Sequence, residues 1–137
     1  MSYALSPGLQ AALYQLLQAD AALAGLVVGI HDAPPPGTPQ GTLVFLGEEE
    51  VVERGDSTGP GAEHRLTVTV VSDAPGFLAA KSAAARIVDL LSAATPPLSG
   101  GRVVAIWFQD ARARRLEGGT VRRIDLKFRA RIEINAA

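Results

Sequence analysis

From Val121 to Ile134 the chain alternates with almost no interruption. Ile124, Leu126, Phe128, Ala130, Ile132 and Ile134 hold the even positions, and Arg123, Asp125, Lys127, Arg129, Arg131 and Glu133 hold the odd ones. Successive side chains of a strand point to opposite faces, so this segment is a strand with one face on a core and one toward water or a polar neighbour. A strand that long needs strands beside it and a layer of other elements over its apolar face. Arg102 to Arg114 supplies the neighbour, and Leu116 to Thr120 turns through Gly118-Gly119, so the last third of the chain reads as a long β-hairpin.

The rest provides the covering layer and more strands. Ser6-Pro7 predicts a helix start, with Ser6 as the N-cap and proline at the first helical position. Leu9, Ala12, Leu13, Leu16 and Leu17 follow at helical spacing. Asp20 is placed to cap a second short turn through Leu23. Leu26 to His31 reads as a short strand, and the prolines Pro34, Pro35, Pro36 and Pro39 impose a loop. Thr42 to Val52 is the next strand, and Glu53 to Ala62 a glycine-rich loop that is costly to order. A strand from Glu63 turns Leu66, Val68 and Val70 to one face and Arg65, Thr67 and Thr69 to the other. Pro75-Gly76 ends it. Phe77, Ala80, Ala84, Ile87, Val88 and Leu91 then form a second helical stripe, with Lys81, Arg86 and Asp89 off it. The expected fold class is α+β: a single domain over 1–137, a mainly antiparallel sheet with two helices packed on it, in the order α-β-β-β-α-β-β.

Composition removes several functions. There are no cysteines among the 137 residues, so disulfides, thiolate zinc sites and cysteine nucleophiles are excluded; a reducing compartment agrees with this. The longest nearly apolar run, Ala21 to Ile30, is about half the roughly 20 residues a membrane span needs. No basic segment precedes an apolar one at the N-terminus, so no signal peptide is expected. The net charge of −1 gives no global attraction to nucleic acid or anionic membrane.

Motifs for chemistry are sparse. His31-Asp32 could serve as a metal or acid–base pair, but with no convergent partner the pair is read as a strand end, and His64 as a surface or rim residue. No glycine pattern opens a helix as a phosphate loop would, and Arg54-Gly55-Asp56 is discounted as a chance tripeptide. No metal and no cofactor is expected. Two charged groups stand out. Glu48, Glu49, Glu50 and Glu53 form an acidic patch whose oxygens suit a divalent cation, read first as a solvated strand end and otherwise as a docking patch for a basic surface. Arg112, Arg114, Arg115, Arg122 and Arg123 cluster about the final turn, with Glu117 opposing them. A basic hairpin suits phosphate contact or a protein interface, and complementary patches on one near-neutral chain suit a head-to-tail ring.

Taken in order, four segments resemble one family: SYALSPGLQAALYQLLQAD; IHDAPPPG followed by VFLGEE; GAEHRLTVTVVSDAPGFLAAKSAAARIVDLL; and the hairpin GRVV-IWFQDARARR with GTVRRIDLKFRARIE. They run from Ser2 to Glu133 and resemble the tail-completion or tail-terminator proteins of long-tailed phages, most closely that of alphaproteobacterial gene transfer agents. One departure is His31, which stands where the family pattern has an aromatic residue, often tyrosine, before Asp-Ala. The resemblance implies a sheet flanked by helices, no catalytic residue, and a homohexameric ring that caps the finished tail tube. Its partners would be the tail-tube protein and the head connector, with DNA passing through the lumen unbound. Its place would be the bacterial cytoplasm during assembly and then the head–tail junction of the particle. The alternative is a small nucleic-acid-binding module that uses the hairpin from Arg112 to Arg123, and a third possibility is an enzyme whose site the sequence does not reveal.

Overall fold

A computed structural model describes residues 2–54 and 61–135. The middle of the expected glycine loop, including Gly55 and Asp56, falls on residues 55–60, outside the described residues. A short 3-10 turn, Ser2–Leu5, leads into α1, Ser6–Ala19, and α2, Ala21–Ala24, follows at once. The strands are β1 (Gly29–His31), β2 (Thr42–Glu53) and β3 (Gly61–Ser72). After α3, Leu78–Ser92, come β4 (Pro97–Leu98), β5 (Gly101–Leu116) and β6 (Val121–Ile134). The six strands form one sheet in the order β1-β2-β3-β6-β5-β4. Every pairing is antiparallel except that of β1 with β2, which is parallel.

The helices cover one face. Leu9, Leu13 and Leu17 of α1 and Ala80, Ala83, Ala84, Ile87 and Leu91 of α3 are buried against Val44, Val68, Val70, Leu126, Phe128 and Ile132. Burial of each large apolar side chain contributes about 1.5–3 kcal/mol, and this face carries most of them. The alternation of β6 holds: Ile124, Leu126, Phe128, Ala130 and Ile132 are all buried, while Lys127 and Arg129 are exposed. Gly101 lets β5 pass beneath the N-terminal turn, since a Cβ there would overlap Leu5 and the carbonyl of Glu133. At the hairpin tip Gly118 and Gly119 have φ of 66° and 93°, the left-handed conformation that favours glycine.

Several local expectations change. Ser6 is the first residue of α1 and not its cap; Leu5 holds the cap position without a side-chain bond, because the Ser6 hydroxyl is turned to Glu49 instead. Asp20 does cap α2, accepting from the Leu23 N–H at 2.9 Å. Of Leu26 to His31 only Gly29–His31 is strand, as α2 and the turn after it take up the earlier residues. β2 and β3 reach Glu53 and Gly61, so they consume both ends of the expected loop. The pair Pro97–Leu98 forms an unexpected short strand on Gly101 and Arg102. Among the described residues no helix is long and apolar enough to cross a membrane.

Candidate interaction surface

Among the described residues the other face of the sheet has no helix on it. Register fixes what it carries: Asp110 lies beside Lys127 and Thr67, Arg112 beside Asp125 and Thr69, and Arg114 beside Arg123 and Val71. Asp125 is the hub. It accepts from Thr69 Oγ1 at 2.7 Å and from Arg123 Nε at 3.1 and 3.2 Å, and Arg114 Nη2 stands 3.6 Å away. The Arg123 guanidinium lies 5.6 Å from the Phe45 ring centroid, and Phe45 packs with Leu43 and Val71 in a small second core. Around this hub the open face forms a concavity of about 600 Å³, walled by Glu48, Arg112, Arg114, Arg123 and Lys127.

Of the five clustered arginines, only Arg112, Arg114 and Arg123 share this face. Arg115 and Arg122 project from the helix-covered side, where Arg122 donates to Ala74 O at 3.1 Å and lies 6.0 Å from the Phe77 ring centroid. The opposing charge is Asp125, and not the turn residue Glu117, which makes no ion pair among the described residues.

The acidic run is likewise divided, and it lies within β2 rather than at a strand end. A bulge between Leu46 and Glu49 reverses which residues face the helices. Glu49 therefore turns inward beside Leu66, where it accepts from the Ser6 hydroxyl at 2.6 Å and lies 3.4 Å from His64 Nδ1. Glu50 turns outward and meets Arg65 at 2.5 Å. Glu48 is exposed on the open-face concavity, and Glu53 is exposed at the end of β2. His64 is not at a rim: it is fully buried, and its Nε2 has no hydrogen-bond partner. Ser6, Glu49 and His64 form a structural tie between α1 and the sheet, with the glutamate between the other two. No nucleophile–base contact exists there, because Ser6 and His64 both address the carboxylate. Asp32 follows the end of β1 at His31, as read from the sequence. Among the described residues no cluster of three or more His, Cys, Asp or Glu could hold a metal.

Two strand edges are also open. β4 pairs with β5 only at Gly101 and Arg102, so residues 103–116 have no partner strand on that side among the described residues. β1 covers β2 only at Leu43, Val44 and Phe45, so residues 46–52 are likewise open. Long edges of unpaired N–H and C=O groups are templates for another strand. The sequence shows Arg102 to Arg114 only as a strand; that β4 covers so little of its outer edge emerges from the fold.

The family model described as Tail completion protein gp17 matches residues 11–133. The chain belongs to that family. Fourteen chains of solved structures match it, among them a chain of the virion of a native gene transfer agent particle. That chain is 53% identical, with a TM-score of 0.87, over 96% of this chain and 99% of its own. No curated protein sequence matches at a significant level. The role of this family member is therefore a structural one in a tail.

Proposed function

We propose that the chain is a non-catalytic subunit of a hexameric ring that ends the tail tube of a gene-transfer-agent-like particle and joins it to the head connector. The observation that carries this reading is the full-length likeness to a chain of such a virion, with 53% identity. A tail end needs a subunit that binds the last tube ring and offers no tube-like surface for another. The open face and the two open edges give this chain three surfaces for such contacts. The interface set is Glu48, Glu49, Glu50, Glu53, Arg112, Arg114, Arg115, Arg122 and Arg123. Within it, Glu48, Arg112, Arg114 and Arg123 supply the open-face contacts, while Glu49 and Arg122 act by shaping the strands that carry the others.

The partner of the arginines is protein rather than DNA. Arg114 and Arg123 already face the Asp125 carboxylate, which leaves a weakly basic surface, and DNA sliding through a lumen tolerates no ring of tight phosphate contacts. Immunogold labelling of a tagged chain in purified particles tests the reading: label at the head–tail junction supports it, and label along the tube or at the distal tip contradicts it. Micromolar, steeply salt-dependent DNA binding by the isolated chain would instead support the nucleic-acid module.

A further inference from the structure

We propose that the sheet continues from one copy of the chain into the next, the open β5 edge over residues 111–116 pairing antiparallel with the open β2 edge, residues 47–52, of a second copy. The proposal rests on the ring reading and says how the ring is joined.

Strand direction permits it. β2, β3, β6 and β5 alternate in direction across the sheet, so β5 runs opposite to β2. A second copy set alongside in the same orientation presents its β2 antiparallel to the first copy's β5, the arrangement with the more favourable hydrogen bonds. Neither edge carries a proline in these stretches that would remove a donor.

Charge selects the pairing. On the open face the β2 edge bears Glu48 and Glu50 and the β5 edge bears Arg112 and Arg114, and β5 has no acid from residue 111 to 116. Two β5 edges would set arginines against arginines, and two β2 edges carboxylates against carboxylates; only the unlike pairing is attractive. An unlike contact is heterologous, and when repeated about an axis it closes into a ring rather than a two-fold dimer. Glu48, Arg112 and Arg115 have no ion pair within the subunit among the described residues, so each is available to a neighbour.

Steric fit sets the offset. Within a subunit Arg112 lies level with Asp125, Thr69 and Phe45, and β1 already occupies the edge beside Phe45. For Arg112 to reach Glu48 and Glu50, adjacent copies must be staggered along the strands by a few residues, as strands tilted around a closed assembly are.

The chain has no cysteine, so disulfide trapping is clean. Particles are assembled with Glu50→Cys combined with Arg112→Cys or with Arg114→Cys, all on the open face, and then oxidised. Pairing predicts a ladder of covalent oligomers up to the hexamer for at least one combination, and none beyond a dimer for the single-cysteine variants. Val52→Cys, on the same face as Glu50, replaces Glu50→Cys if loss of that glutamate stops assembly. Glutaraldehyde treatment of the same particles reports the ring independently. A glutaraldehyde hexamer without a ladder from any cysteine pair overturns the edge pairing and leaves the ring standing. Tailed particles that give no hexamer by either route overturn the ring reading, and the pairing with it.

Discussion

Arg86 of α3 donates two hydrogen bonds to Asp20, Nε at 2.8 Å and Nη2 at 2.6 Å, and so ties the two ends of the helical layer together. The same carboxylate caps α2 through the Leu23 N–H. These bonds, that from Arg86 foremost, hold the Asp20 carboxyl at about 2, below its usual 3.8. A depressed folded-state value means that the ionised form stabilises the fold above the unfolded value, and that this stability is lost as pH falls from about 4 through 2. Asp20→Asn keeps a cap acceptor and loses the charge. Its melting temperature should fall below that of the unaltered chain at pH 6, and the gap should close as the pH approaches 2; a gap independent of pH would contradict this.

Phe128 is fully buried and meets Phe108 edge-on, with ring centroids 5.7 Å apart. Phe128→Asp removes that packing and buries a charge, at a cost on the order of 3–5 kcal/mol. Lys127→Asp, on the open face, should change stability little. Equal shifts in melting temperature for the two variants would mean that the strand register is wrong.

His64 sits without solvent exposure, with one ring nitrogen near Glu49 and the other unpartnered. His64→Leu removes the unpartnered Nε2 together with the Nδ1 contact to Glu49, whose carboxylate keeps its bond from Ser6, so it should cost less than Glu49→Ala. Glu49→Ala strands Ser6 and His64 together and should cost about 1–3 kcal/mol. Chemical denaturation of both variants decides the point, and a His64→Leu loss as large as that of Glu49→Ala would contradict it.

The contrast between these sites shows what the sequence could convey. β6 pairs with β3 from Arg122 to Glu133 without a bulge, so from Ile124 to Ile132 its alternation in sequence is its alternation in space; Val121, buried at an odd position, and Ile134, only partly buried, fall outside the pattern. β2 and β5 are bulged, at Leu46/Glu49 in one and at Val103/Ala105 and Phe108/Asp110 in the other. Each bulge reverses the parity of everything beyond it. A run of three glutamates carries no periodicity from which to detect such a reversal, so Glu49 and Glu50 looked equivalent although one faces α1 and the other solvent. The arginines Arg114 and Arg115 are adjacent, and adjacency on a strand puts them on opposite faces. His64 looked polar and peripheral because its partners, Glu49 and Ser6, are distant in sequence and converge only through the sheet and the packing of α1.

If unlike edges meet in the ring, charge reversal on one side should be repaired on the other. Arg112→Glu with Arg114→Glu should impair ring formation and yield tailless or overlong-tailed particles. Adding Glu48→Arg and Glu50→Arg to the same chain should restore a substantial share of normal tails, scored by electron microscopy. A double variant that assembles normally, or a quadruple variant no better than the double, would count against the complementarity.

The most direct test of the central claim is the length distribution of tails in particles made without this chain. The account predicts tubes that run past their usual length or heads left without tails, and repair when the chain is supplied in trans. Tails of normal length, firmly joined to their heads in its absence, would contradict it.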